Sequence, residues 1–210
     1  MSDFYHGCED KRNAQARFQP QFDKQSFISL KIEDMNSLLE KQFNQLEEER
    51  RQLFSELKIY DDAVINKKPA PGKWSVAEVI AHLITAEEMS LKYLMKKTQD
   101  TSRAEKETFK NKWRWLLVKI VFSANIKYKA PQIVEPKSGY ESLANLEMYW
   151  AKIRLQTLSV LNKLSDDELN KELWKHAIAG KMNLHHMVKF FGIHFRRHKK
   201  QIARTLAAVN

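Results

Sequence analysis

Residues 184–207 read LHHMVKFFGIHFRRHKKQIARTLA and carry the clearest periodicity in the chain. One set of side chains recurs every three or four residues, the spacing that places them on one face of an α-helix. The stretch therefore predicts a final helix from Leu184 to about Ala207 whose buried face includes two histidines. This inner stripe consists of Leu184, Met187, Phe191, His194, His198, Ile202 and Leu206.

The same periodicity recurs along most of the chain and predicts further long helices. Their approximate ranges are 32–60, 75–97, 105–126 and 140–164. Ser75 with Glu78, and Ser165 with Glu168, are capping boxes, and each marks the start of a helix, the second one short. Five Gly and five Pro in 210 residues are too few for the frequent turns of an all-β fold. We expect an all-α protein, an up-and-down four-helix bundle with extra short helices.

The N-terminal stretch of the chain differs in character from the helical region that follows it. Residues 1–31 are polar and have no clear period, so we expect an N-terminal extension followed by a bundle domain over 32–210. The single cysteine, Cys8, excludes an internal disulfide framework and a cysteine-based zinc motif. The first residues lack the basic and apolar regions of a signal peptide, and no apolar run approaches the ~20 residues of a membrane span. We expect a cytoplasmic protein without a membrane span.

Positive charge is in excess, with a formal net charge of +10. The stretch from Lys181 to Asn210 contains seven Lys and Arg and no acidic residue. A basic surface attracts nucleic acid, anionic lipid or a small polyanionic ligand. No nucleic-acid recognition motif is present, so we do not expect a nucleic-acid partner and interpret the charges as solvated helix faces.

Three histidines stand on predicted inner faces. His194 and His198 are one helical turn apart, near enough to share one metal ion. His82 follows Val79 by three residues, and therefore also faces inward on the helix that starts after Ser75. Buried imidazoles need partners. A shared metal and separate carboxylate or carbonyl partners both satisfy them, and the spacing does not decide between the two. A three-imidazole site would leave coordination positions open for water or substrate.

Other chemical signals in the sequence are weak. His176, His185 and His186 are interpreted as surface or rim histidines. No phosphate-binding glycine loop, H-E-x-x-H or G-x-S-x-G motif occurs. Adjacent Glu87 and Glu88 point apart on a helix, which disfavours paired-carboxylate chemistry, and no catalytic acid or base can be named. The aromatic-rich segment from Trp113 to Phe122 is interpreted as core.

An ordered set of residues across most of the chain follows the layout of a known family. The set consists of Trp74-Ser75, His82-Leu83, Ala130-Pro131, Pro136, the Trp150 helix, Gly180 and His194-x-x-x-His198-x-x-Gln201-Ile202. Over about residues 36–207 the chain resembles the DinB/YfiT superfamily. The resemblance implies a four-helix bundle with a divalent metal, usually zinc or nickel, held by His82, His194 and His198. It also implies a homodimer.

The activities assigned within that family set the expected function. They include metal-dependent S-transferases that use a low-molecular-weight thiol such as bacillithiol or mycothiol, a thiol-dependent isomerase and putative hydrolases. The resemblance therefore implies a divalent-metal-dependent enzyme acting on a small-molecule substrate, either a bacillithiol-like S-transferase with a thiol cosubstrate or a hydrolase. The alternative is a non-catalytic helical bundle that binds a metal or ligand as a sensor in a stress response.

Overall fold

Helices form most of the structure, a computed structural model that describes residues 37–123, 142–176 and 179–210. The helices are α1 (Ser37–Leu57), α2 (Asp62–Asn66), α3 (Val76–Lys97), α4 (Phe109–Ser123), α5 (Leu143–Leu161), α6 (Asp166–Leu169) and α7 (Leu184–Val209). Two short strands are β1 (Trp174–His176) and β2 (Gly180–Met182). The expectation of an all-α protein is confirmed. The expected extension over residues 1–31 lies outside the described residues, and so do Cys8, Ala130-Pro131 and Pro136.

Side-chain caps fix where several helices begin, and the two capping boxes among them were predicted from the sequence. The Ser75 hydroxyl accepts a hydrogen bond from the Glu78 backbone N–H, and the Glu78 carboxylate accepts one from the Ser75 N–H at 2.8 Å. A second complete capping box, formed by Ser165 and Glu168, begins α6. Asn183 caps α7 by accepting from the backbone N–H three residues ahead. These caps set where α3 and α7 begin, and therefore which of their residues face inward.

Four long helices contact each other in a closed ring. Helix α1 packs on α5 and α7, and α3 packs on the same two helices from the other side. Helix α4 lies against α7 and β2, while α2 lies against α3 and α7. The up-and-down order of the helices stays a prediction. Large apolar side chains shared by the ring form its core, among them Phe54, Ile80, Leu146, Trp150 and Phe195.

A buried ion network joins α1, α3 and α5. The Arg154 guanidinium, 1% exposed, donates to both carboxylate oxygens of Glu87 at 2.5 and 2.7 Å. It also donates to Glu47 at 3.2 Å, and the Trp150 indole N–H donates to Glu87 at 3.0 Å. An unpaired charge at this depth would cost several kcal/mol, so the network disfavours other settings of α3 against α5.

The hairpin of β1 and β2 was not expected from the sequence. Its antiparallel register pairs Trp174 with Met182 and His176 with Gly180. Gly180 has φ +84°, a left-handed conformation that favours glycine at this turn. Three residues per strand are too few to show an alternating pattern, so neither strand could be predicted from periodicity.

Helix α4 is buried on one face only, so the interpretation of its aromatic-rich segment as core is wrong for the other face. Trp115, Val118 and Phe122 are buried at three- and four-residue spacing. Trp113 and Leu117 are each 54% exposed. This one-sided burial arises because α4 lies outside the helix ring and contacts α7 and the hairpin with one face only. None of the helices in the described ranges combines the length and hydropathy needed to cross a bilayer.

Candidate metal centre

The structure brings His82, His194 and His198 together between α3 and α7. Each offers one ring nitrogen, and the three nitrogens lie within 4.8 Å of one another. His82 and His194 are buried, and His198 is half-buried at the edge of the group. The two helix faces that the periodicity assigned to the interior therefore meet at these residues. Within the described part of the chain the cluster contains imidazoles and no carboxylate.

The spacing of the nitrogens fits a shared divalent ion. The Nε2 atoms of His82 and His194 are 3.2 Å apart. Two imidazole nitrogens bound to one tetrahedral zinc at ~2.0–2.1 Å would be about 3.3 Å apart. This pair of nitrogens thus already has the separation that two ligands of a single ion adopt, and imidazole donors suit zinc and nickel among common divalent metals.

Burial keeps two of the three histidines, His194 and His198, neutral. Burial, and then the neighbouring His198 and His82, hold the pKa of His194 well below its ordinary value. Burial, followed by the effect of His82, lowers the pKa of His198 to about 3. A neutral imidazole has a lone pair to give to a metal, whereas an imidazolium has none. His194 and His198 are therefore ready to act as ligands at neutral pH.

Gln201 orients one of the rings. His198 Nδ1 lies 2.9 Å from Gln201 Oε1, one turn further along α7. Since an amide oxygen only accepts, Nδ1 carries the ring proton and Nε2 keeps the lone pair. Such partners fix the tautomer and direction of metal-binding histidines. The sequence contained Gln201 within the family pattern, but spacing alone gave it no role.

Aromatic rings enclose the cluster. Trp74 lies over His82 with ring centroids 5.1 Å apart. Phe190 stacks on His194 at 5.2 Å, and Phe122 meets the same ring edge-on at 5.9 Å. These rings shield the nitrogens from bulk water, which strengthens electrostatic interactions inside the site. Phe190 lies off the predicted inner stripe of α7, and was therefore missed.

The interpretation of His176 and His186 as surface or rim histidines is wrong. Both are buried, at 5% and 8% exposure, while His185 is half-buried. His176 ends β1, accepts a hydrogen bond at Nδ1 from the Ala179 N–H, and has its pKa lowered to about 4 by burial. His186 stacks on Trp115 of α4 at 4.8 Å. The hairpin and α4, whose packing the sequence did not reveal, cover these two rings.

A cavity of about 310 Å³ lies next to the cluster. The apolar side of α4 forms most of its wall, and the start of β2 closes it. Phe122 belongs to this wall and also contacts His194, so the cavity and the histidine cluster share a side chain. Such a mostly apolar cleft with a few polar groups is typical of small-molecule sites. Its lining consists of Arg114, Leu117, Val118, Val121, Phe122, His176, Ala179 and Gly180.

Comparison with known proteins places the chain in a family. The profile of the DinB superfamily matches residues 45–202, a range that includes all three clustered histidines. The uncharacterized protein YuaE of Bacillus subtilis (strain 168) is 25% identical over 155 residues, which cover 74% of this chain and 91% of that protein. No solved structure matches. This match and the histidine cluster fit a metal-binding protein. The chain belongs to the DinB superfamily.

Proposed function

We propose that the protein is a divalent-metal-dependent enzyme acting on a small molecule, either as an S-transferase of a bacillithiol-like thiol or as a hydrolase. The observation that carries this proposal is the convergence of His82, His194 and His198 beside a cavity. Three imidazole ligands are typical of catalytic rather than structural zinc sites, because a position stays open for water or substrate. A bound divalent metal would supply Lewis acidity, lowering the pKa of a thiol or water.

Side chains of the protein support this chemistry by providing metal ligands and by covering the ligand rings. The three imidazoles would hold the metal, Gln201 fixes the His198 ring, and Phe190 covers the His194 ring. Arg197 lies over the Phe122 ring at 5.6 Å and donates to the Phe122 carbonyl at 3.4 Å. Its positive charge beside the cluster suits an anionic thiol such as bacillithiol, which carries carboxylates.

We extend the proposal to the properties that the family resemblance implies. The metal is zinc or nickel, the cosubstrate is a low-molecular-weight thiol, and the protein is a cytoplasmic homodimer. Light scattering after size-exclusion chromatography checks the dimer. Elemental analysis of protein purified without a tag identifies the metal.

The enzymatic proposal is tested by turnover in a matched pair of variants. Zinc- or nickel-loaded protein is assayed for consumption of bacillithiol with monochlorobimane and with 1-chloro-2,4-dinitrobenzene. We expect turnover in the wild type and in Lys200→Ala, an exposed neighbour on α7, and none in His198→Ala. Equal turnover in a metal-free His198→Ala protein would contradict metal dependence. A full metal load without turnover of thiols or ester and amide substrates would favour the non-catalytic binding protein.

A further inference from the structure

The cavity beside the histidine cluster has an uneven chemical lining. The side chains that α4 contributes to its wall are apolar, except for Arg114. Among the described residues that line it, no side chain is acidic, and His176 is the second polar one. A guanidinium thus borders an apolar space whose described lining contains no counter-charge.

The guanidinium of Arg114 lies against the hairpin. Arg114 Nη1 would lie 3.4 Å from a Cβ atom built on Gly180, so the side chain runs closely past the first residue of β2. Arg114 is half-buried, which places its charge in a lower dielectric than bulk water. A planar guanidinium in such a setting matches a carboxylate through two parallel N–H···O bonds.

His176 is the other polar residue of the lining. Its Nδ1 accepts the Ala179 N–H at 3.0 Å and is therefore engaged within the hairpin. The guanidinium of Arg114 is the charged donor of the lining, and it suits oxygen acceptors. An anion with oxygen atoms meets this arrangement, whereas an ammonium group would find no acceptor side chain in the described lining.

We propose that this cavity is the substrate pocket and that it takes a compact carboxylate with an apolar body, whose carboxylate Arg114 binds. Leu117, Val118 and Val121 pack against the apolar body. The volume, about 310 Å³, stands at the small end of ligand sites and suits a single ring with a short acidic chain. Phe122 lines the cavity and meets the His194 ring edge-on, so the bound molecule would lie close to the cluster. This inference assigns a substrate class to the enzyme proposed above, and its relevance to catalysis rests on that proposed function.

A pair of isosteric probes tests the charge preference directly. 4-Fluorophenylacetate and 4-fluorophenylacetamide have the same ring and size, but only the first carries a charge near neutral pH. Their dissociation constants are measured by ¹⁹F NMR titration of the metal-loaded protein. We expect the acid to bind about tenfold more tightly than the amide, as a charge-assisted pair predicts. Arg114→Gln removes this preference, whereas Lys119→Gln, an exposed position on α4, retains it.

Three results would overturn the inference: equal binding of the two probes, binding of neither, or an acid preference that survives Arg114→Gln. The last would mean that the metal or another cation holds the carboxylate. Val121→Trp, which fills the cavity, should abolish binding of both probes, and unchanged binding would place them elsewhere. The Arg114→Gln comparison stands even if Val121→Trp does not fold.

Metal analysis of the same samples separates this inference from the proposed function. Arg114→Gln should keep the full metal load because Arg114 is not among the clustered residues. If the protein never binds metal but prefers the acid probe in an Arg114-dependent way, only the proposed function is contradicted. If the metal-loaded protein shows turnover but no Arg114-dependent preference for the acid probe, only this inference is contradicted.

Discussion

Replacing Gln201 tests whether the hydrogen bond to His198 prepares a metal ligand. Gln201→Leu keeps the side-chain volume and removes the acceptor that lies 2.9 Å from Nδ1. Loss of such a partner typically weakens metal binding by about 10- to 100-fold. Gln201→Leu removes the hydrogen bond to His198 from both the metal-free and the metal-bound protein. Metal affinity therefore falls only by the amount by which metal binding strengthens that bond. We therefore expect the lower end, about tenfold or ~1.4 kcal/mol.

Two further variants show that the acceptor itself matters. Gln201→Glu supplies a charged acceptor, which should strengthen the bond to Nδ1–H and tighten metal binding relative to wild type. Lys200→Leu changes an exposed neighbour on the same helix and should leave affinity unchanged.

Zinc affinity is measured by competition with the chromogenic chelator 4-(2-pyridylazo)resorcinol. Urea unfolding of the metal-free proteins accompanies it, to show that the variants fold alike. The reasoning is refuted if Gln201→Leu binds zinc as tightly as wild type. It is also refuted if Gln201→Glu binds zinc more weakly than Gln201→Leu.

The buried ion network and the buried His176 give two predictions about stability. Glu87→Leu should lower the free energy of unfolding by about 3–5 kcal/mol because Arg154 loses its main counter-charge. The double variant Glu87→Leu/Arg154→Leu should recover much of that loss in urea titrations, and an additive loss would contradict the reasoning. Below pH ~6.5 the unfolded chain binds a proton at His176, but the folded chain does so only near the lowered pKa of about 4. Stability is therefore lost as pH falls through this window, by about 2.5 kcal/mol at pH ~4.5. When unfolding is measured with EDTA present, the free energy of unfolding of His176→Gln should fall with pH by that much less than that of the wild type. An equal fall in both proteins would contradict the lowered pKa of His176.

The helical periodicity was enough to identify three inward-facing histidines because it depends on local spacing. A step of three or four residues fixes which side chains share a helix face, whatever lies opposite. His194 and His198 therefore stood out on α7 and His82 on α3. That these two faces meet at the histidines was implied by the family resemblance, and the packing of α3 on α7 shows it.

The parts that sequence reasoning missed depend on contacts between distant segments. Phe122 of α4 and Phe190 of α7 cover His176, Trp115 of α4 covers His186, and none of these contacts leaves a local pattern. The one-sided burial of α4 follows from its place outside the helix ring. The cavity with Arg114 exists only where α4 and β2 meet, so no spacing rule could have assigned it.

The metal content of untagged protein, measured by elemental mass spectrometry beside His194→Ala, is the most direct test of the proposed centre. A tag is left out because its own histidines bind nickel. We expect about one zinc, nickel or similar divalent ion per chain in the wild type, and we expect His194→Ala to lose it while keeping its helicity. No bound metal after reconstitution, or the same content in His194→Ala, would contradict it.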